Sequence, residues 1–72
     1  MYFKRLRDMR EDHDLSQQQV ADRLGIQQTV YSRYERGVRQ IPVDLLMELA
    51  ELYETSTDYL LGRTDDPEPP EK

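Results

Sequence analysis

Gly25 stands between two short stretches whose apolar residues recur with a helical period, and this arrangement constrains the chain more than any other. Ahead of it, Ser16 offers a hydroxyl to an orphan backbone N–H at a helix start. Gln19, three residues on, is placed to reach back as in a capping box. Val20, Ala21 and Leu24 then share one helix face. Gly25 tolerates the positive φ with which helices commonly end. Beyond it, Ile26, Tyr31 and Tyr34 make an apolar side toward which Glu35 also turns, while Gln28, Thr29, Ser32, Arg33 and Arg36 fall on one continuous opposite face. The spacing predicts helices over 17–24 and 27–36, the second closed by Gly37.

The polar face of the second of these helices carries amides, hydroxyls and guanidinium groups but no carboxylate. Glutamine can pair in two-pronged fashion with adenine, and arginine with guanine, so the face suits the major groove of DNA. A solvated helix surface is equally compatible with these residues taken alone.

Three further helices are predicted around this pair. Over 2–12, Phe3, Leu6, Met9 and Arg10 form an inner stripe, and Lys4, Arg5, Arg7 and Asp8 face outward. Arg10 either snorkels to the core rim or meets a carboxylate, for which Glu35 is the natural candidate. Pro42 suits a helix start, where its missing N–H is no loss. The helix that follows, 43–54, has Leu45, Leu46, Leu49, Leu52 and Tyr53 on a face wider than one stripe, with Tyr53 at its margin. Ser56 caps a last helix over 57–61, too short for Tyr59, Leu60 and Leu61 all to point inward. The expectation is an all-α, five-helix domain over 1–62. Residues 63–72, with three prolines, four acids and no large apolar side chain, are expected to be a disordered acidic tail.

Residues 15–37 resemble the helix-turn-helix of the lambda-repressor-like family, which includes phage repressors, Cro proteins and Xre-type regulators. The matching residues are Leu15-Ser16-Gln17, Val20-Ala21, Leu24-Gly25-Ile26, Tyr31-Ser32-Arg33-Tyr34-Glu35 and Gly37. The likeness continues through Leu45-Leu46, Leu49-Ala50 and Asp58-Tyr59-Leu60-Leu61-Gly62. It implies a compact lambda-repressor-like domain whose second and third helices form the DNA-reading unit. It implies an ion pair between Arg10 and Glu35, which would set the angle of the reading helix. In the family's docking mode that helix enters the major groove first turn foremost. Carried over by position, Gln28, Thr29, Ser32 and Arg33 would read bases. Ser16, Gln17, Gln27, Arg36, Arg39 and Gln40 would hold the DNA backbone. The resemblance also implies a two-fold contact through the last helix, for which Tyr53, Tyr59 and Leu60 are the candidates, giving a homodimer weak in free solution. Three positions depart from the family pattern: Tyr31 replaces a smaller aliphatic, Val30 borders the reading face, and Val38 stands where a basic residue is common.

The net charge of −5 sits awkwardly with a polyanionic partner until it is divided along the chain. Residues 1–40 carry +2 and residues 41–72 carry −7. Docking through one face needs local positive potential, not a basic total. With no cysteine and a single histidine, His13, neither a disulfide nor a multi-histidine metal site is available, and His13 reads as ordinary surface. No cofactor or small-molecule ligand is implied. No apolar run approaches the ~20 residues of a membrane span and no signal-peptide pattern opens the chain, so a cytoplasmic location is expected. No nucleophile–base constellation or phosphate-binding glycine loop argues for an enzyme. Two functions compete: a sequence-specific transcriptional regulator, expected to repress, and a protein-interaction module whose acidic second half binds a partner, as in an antitoxin or accessory protein.

Overall fold

Five helices follow one another without a strand among the described residues, which are 1–70 of a computed structural model: α1 Lys4–Asp12, α2 Gln17–Leu24, α3 Gln28–Glu35, α4 Val43–Leu52 and α5 Thr57–Leu60. Glu71 and Lys72, part of the expected tail, lie outside the described residues. Each helix begins where the local chemistry lets it. Ser16 Oγ accepts from the Gln19 N–H at 3.1 Å and Gln19 Oε1 accepts from the Ser16 N–H at 2.8 Å, a complete capping box. Ser56 caps α5 by accepting from the Tyr59 N–H. Pro42 precedes α4 in extended backbone, and its carbonyl takes the Leu46 N–H.

The turn between α2 and α3 depends on Gly25, at φ +70°, whose N–H goes to the Asp22 carbonyl while the Ile26 N–H goes to Ala21. Gly37, at φ +77°, is constrained twice. A Cβ there would also lie 2.8 Å from the Tyr2 Cα, because the N-terminal strand of chain crosses directly over the α3–α4 loop. α1 begins at Lys4 and not at residue 2: Met1 and Tyr2 are exposed, and Phe3, in extended backbone, is the N-cap. At the other end, α4 stops at Leu52 instead of 54. Glu54 adopts φ +53°, and the Thr55 N–H returns to the Ala50 carbonyl.

The core gathers Leu6 from α1, Val20, Ala21 and Leu24 from α2, Tyr31 from α3, Leu46, Leu49 and Ala50 from α4 and Leu60 from α5, with Ile41 and Tyr53 from the loops. Two members correct the expected dimer contact. Tyr53 and Leu60 retain 3% and 1% of their surface, so neither is available to a partner. Tyr53 turns inward into the core cluster, and its ring lies beside that of His13, centroids 5.0 Å apart. Tyr59 keeps part of its surface, with the Arg5 guanidinium 4.1 Å above its ring.

The segment after α5 lies against the body of the domain. Arg5 donates to the carbonyls of Tyr59 and Thr64 and pairs with Asp65, and Thr55 Oγ1 donates to the Pro67 carbonyl at 2.7 Å. Three of these bonds go to backbone carbonyls and one to the Asp65 carboxylate, so they need none of the large apolar residues whose absence points to disorder. Among the described residues no helix is long and apolar enough to cross a membrane.

Candidate nucleic-acid interface

α3 buries Tyr31 and Glu35 and turns Gln28, Thr29, Ser32, Arg33 and Arg36 away from the core. Thr29, Arg33 and Arg36 are exposed, and Gln28 and Ser32 are half-buried at the edge of the same face. Glu35 is the one carboxylate of the helix, and it is matched. Arg10 reaches from α1 with Nε 2.9 Å from Glu35 Oε2 and Nη2 3.0 Å from Oε1, a two-pronged pair with both side chains largely out of solvent. The third guanidinium nitrogen, Nη1, donates to the Leu15 carbonyl at 2.8 Å, tying the same arginine to the start of α2. One side chain thus references α1, α2 and α3 to each other.

Burial pushes the Glu35 carboxyl upward, but hydrogen bonds from Arg10 and Gln17 and the charge of Arg10 bring it below its ordinary value. Next to it the hydroxyls of Tyr31 and Tyr53 are buried with no hydrogen-bond partner among the described residues. Burial raises both phenols, Tyr53 to about 12 and Tyr31 further, so both stay neutral. Tyr31 therefore fills the core at a position where a smaller aliphatic is common in the family. Its hydroxyl adds no charge to the interface.

From this buried pair a line of hydrogen bonds runs out to the surface. Gln17 Nε2 donates to Glu35 Oε1 at 3.3 Å, and Gln17 Oε1 accepts from Gln28 Nε2 at 2.7 Å. Gln17 belongs to the first turn of α2 and Gln28 to the first turn of α3, so the tight turn at Gly25 brings the two amides face to face. Residue spacing marks each glutamine but not their union, because the union crosses two helices. Gln17, the expected phosphate holder, braces Gln28 in the structure, leaving one amide hydrogen uncommitted.

The remaining polar side chains surround this line. Ser16 Oγ accepts the Gln19 N–H, which leaves its hydroxyl proton to donate. Gln27 is the exposed N-cap of α3 and makes no capping bond with its side chain. Arg36 folds back along α3, its Nε 3.2 Å from Ser32 Oγ. Arg39 and Gln40 are exposed in the loop that follows Gly37. Arg33 makes no ion pair or side-chain hydrogen bond among the described residues and extends from the helix into solvent. Among the described residues no group of three or more histidine, cysteine or carboxylate side chains is placed to hold a metal ion.

Comparison with known proteins gives the sequence relatives. A family model described as helix-turn-helix matches residues 6–60. The chain is 46% identical over 96% of its length to YobD of Bacillus subtilis, an uncharacterized HTH-type transcriptional regulator, covering 62% of that protein. It is 40% identical over 86% of its length to the HTH-type transcriptional regulator ImmR of the same organism, covering 49% of it. It is 32% identical over 74% of its length to the cryptic phage CTXphi transcriptional repressor RstR of Vibrio cholerae, covering 48% of it. The chain thus spans between about half and three-fifths of the length of these curated relatives. No solved structure matches it.

Proposed function

This chain belongs to the lambda-repressor-like helix-turn-helix family, and on that premise we propose that it is a sequence-specific DNA-binding transcriptional regulator that reads the major groove with α3. The observation that carries the reading is the braced Gln28 at the first turn of a face that presents Thr29, Ser32 and Arg33 and no carboxylate. With one amide hydrogen of Gln28 given to Gln17, its carbonyl oxygen and second hydrogen remain for the two-pronged bond to adenine. Arg33, unpaired and exposed, is the guanine reader. Thr29 and Ser32 address a base edge or a thymine methyl. Gln17, Ser16 and the N–H groups at the start of α2 hold one phosphate, and Gln27, Arg36, Arg39 and Gln40 clamp others.

Two copies act on an inverted repeat, with half-sites about 34 Å apart. Tyr59 is the member of the expected dimer set that keeps exposed surface. A four-residue α5 offers little area against the ~1,200 Å² of a stable interface, so the pair forms on DNA more readily than in free solution. Repression by occupying a promoter is the simplest output, and RstR, a repressor by name, supports it. Such a protein works in the cytoplasm.

Selection from random duplexes at near-physiological salt, run in parallel on the native chain and Arg33→Ala, tests the reading. The expected result is an enriched inverted repeat that blurs at one position per half-site in the variant. Weak, salt-labile binding without enrichment would overturn it. The second reading, a protein-interaction module, is favoured by the −7 charge of residues 41–72 and predicts DNA affinity indifferent to Arg33 and Gln28.

A further inference from the structure

We propose that the groove between α4 and α5 is a docking site for a cationic amphipathic helix of a partner protein. The groove is a depression of about 840 Å³ floored by Leu46, Met47, Ala50 and Leu61 and opening past Val43. Val43 and Met47, one helical turn apart on α4, are 70% and 53% exposed, so two apolar side chains of the domain lie together in solvent.

Carboxylates surround this floor. Glu51 lines it from α4, Glu54 from the following turn and Asp58 from α5, while Asp44 and Glu48 add charge along α4. Residues 41–62 contain these five acids and no lysine or arginine. Among the described residues Asp44, Glu48, Glu51 and Glu54 have no ion-pair partner, and Asp58 has only Arg63 at 3.9 Å. An apolar trough with mutually repelling carboxylates at its edges is complementary to a helix carrying apolar residues at i, i+4 and i+7 and Lys or Arg on either flank.

Charge argues against the other occupants. A two-fold contact with a second copy would set the acids of one copy against the same acids of the other. DNA phosphates would meet the same repulsion. The chain's own tail reaches one end of the groove with Pro69 and Pro70, but it is acidic and is held by Arg5 and Thr55, leaving Val43 and Met47 open. Tyr59 points to the opposite side of α5, under Arg5, and the reading face belongs to α3, so the groove is separate from both.

The test uses the full chain and a fluorescein-labelled synthetic helix of about five turns, with leucines on one stripe and lysines flanking it. A scrambled peptide of the same composition and one with glutamate for every lysine serve as controls. Anisotropy should show saturable binding of the amphipathic peptide alone, and amide shifts should concentrate on α4 and α5. Met47→Glu should weaken binding about tenfold or more, equivalent to about 1.4 kcal/mol, although it adds negative charge that would strengthen a purely electrostatic attachment. Glu51→Lys with Glu54→Lys should weaken it comparably. Binding of the scrambled or acidic peptide as tightly, an affinity unmoved by Met47→Glu, or shifts centred on another face would overturn the proposal. Self-association in sedimentation velocity that Met47→Glu abolishes would overturn it too, by giving the groove to a second copy.

Discussion

Gln28 donates its side-chain amide to Gln17 across the turn at Gly25, 2.7 Å from nitrogen to oxygen, and Gln17 in turn donates to Glu35. The first residue of α3 is therefore held by a side chain of the preceding helix, which is itself anchored on the Arg10–Glu35 pair. On the proposed reading, an amide oriented before DNA arrives would lower the ordering cost that binding otherwise carries.

The two glutamines should accordingly behave as a unit. Gln28→Ala should cost about 1–3 kcal/mol in DNA affinity, mostly at one base pair. Gln17→Ala should reproduce part of that loss, and the double variant should lose less than the sum of the single effects. Stability should fall by only about 1 kcal/mol in each, the net worth of a hydrogen bond, which is about 4–8 °C in Tm for a domain of this size. Binding titrations on a selected site and its single-base variants check the cycle.

Arg33 and Arg39 should separate base reading from backbone attachment. Arg33→Ala should cost about 1–3 kcal/mol at one base pair and relax the preference there, whereas Arg39→Ala should weaken every sequence alike and reduce the slope of log affinity against log salt by about one. Titrations at several salt concentrations, on specific and unrelated duplexes, distinguish the two.

Breaking the buried pair should threaten the fold. Arg10→Met strands the Glu35 carboxylate in a largely dry site, for which about 3–5 kcal/mol is usual. A small domain has only about 5–15 kcal/mol in total. Urea unfolding followed by circular dichroism measures the loss.

Acid should act through the same carboxyl. Glu35 is held below its ordinary value in the folded state, so in acid the unfolded chain takes up the proton first. Stability from this group is complete above the ordinary carboxyl range and falls away as pH drops through that range to the lower folded value. Unfolding free energy measured from neutral pH downward should fall in that window, and Glu35→Gln should flatten that part of the profile.

Gly25 and Gly37 share a left-handed backbone but differ in surroundings. Gly25→Ala meets no atom within 4 Å and should lose only the conformational preference, about 1 kcal/mol. Gly37→Ala adds a clash with the Tyr2 backbone and should lose more. Removing Met1 and Tyr2 should bring the two substitutions to similar values, as thermal melts of both variants and their parent with and without those residues would show.

The pattern of residues reveals the helix boundaries in this chain that a local bond or a glycine fixes, as at Ser16, Gly25 and Ser56. Ser16 and Ser56 declare themselves because a cap is a local bond between near neighbours. The end of α4 does not, because Glu54 takes up a left-handed conformation without being glycine, enforced by the return of the Thr55 N–H to Ala50. Tyr53 sits at the margin of its helix face on the period alone. Its inward direction is decided by tertiary packing, which places it in the core cluster with His13 beside its ring. At the interface, each polar residue of α3 could be read singly from its spacing. The bond between Gln17 and Gln28, and the attachment of residues 64–67 through Arg5 and Thr55, depend on distances in space that no helical period encodes.

The acids of α4 and α5 and the guanidinium groups of α3 and its following loop give the domain a charge moment much larger in consequence than its net charge. On the proposed reading, a molecule diffusing toward a duplex with α4 and α5 leading should be turned away, and one approaching with α3 foremost should be drawn in. Encounters are thus sorted by orientation before contact, over a range of about 8 Å at physiological ionic strength. Added salt should erode this sorting first in the rate of arrival and only afterwards in the lifetime of the complex.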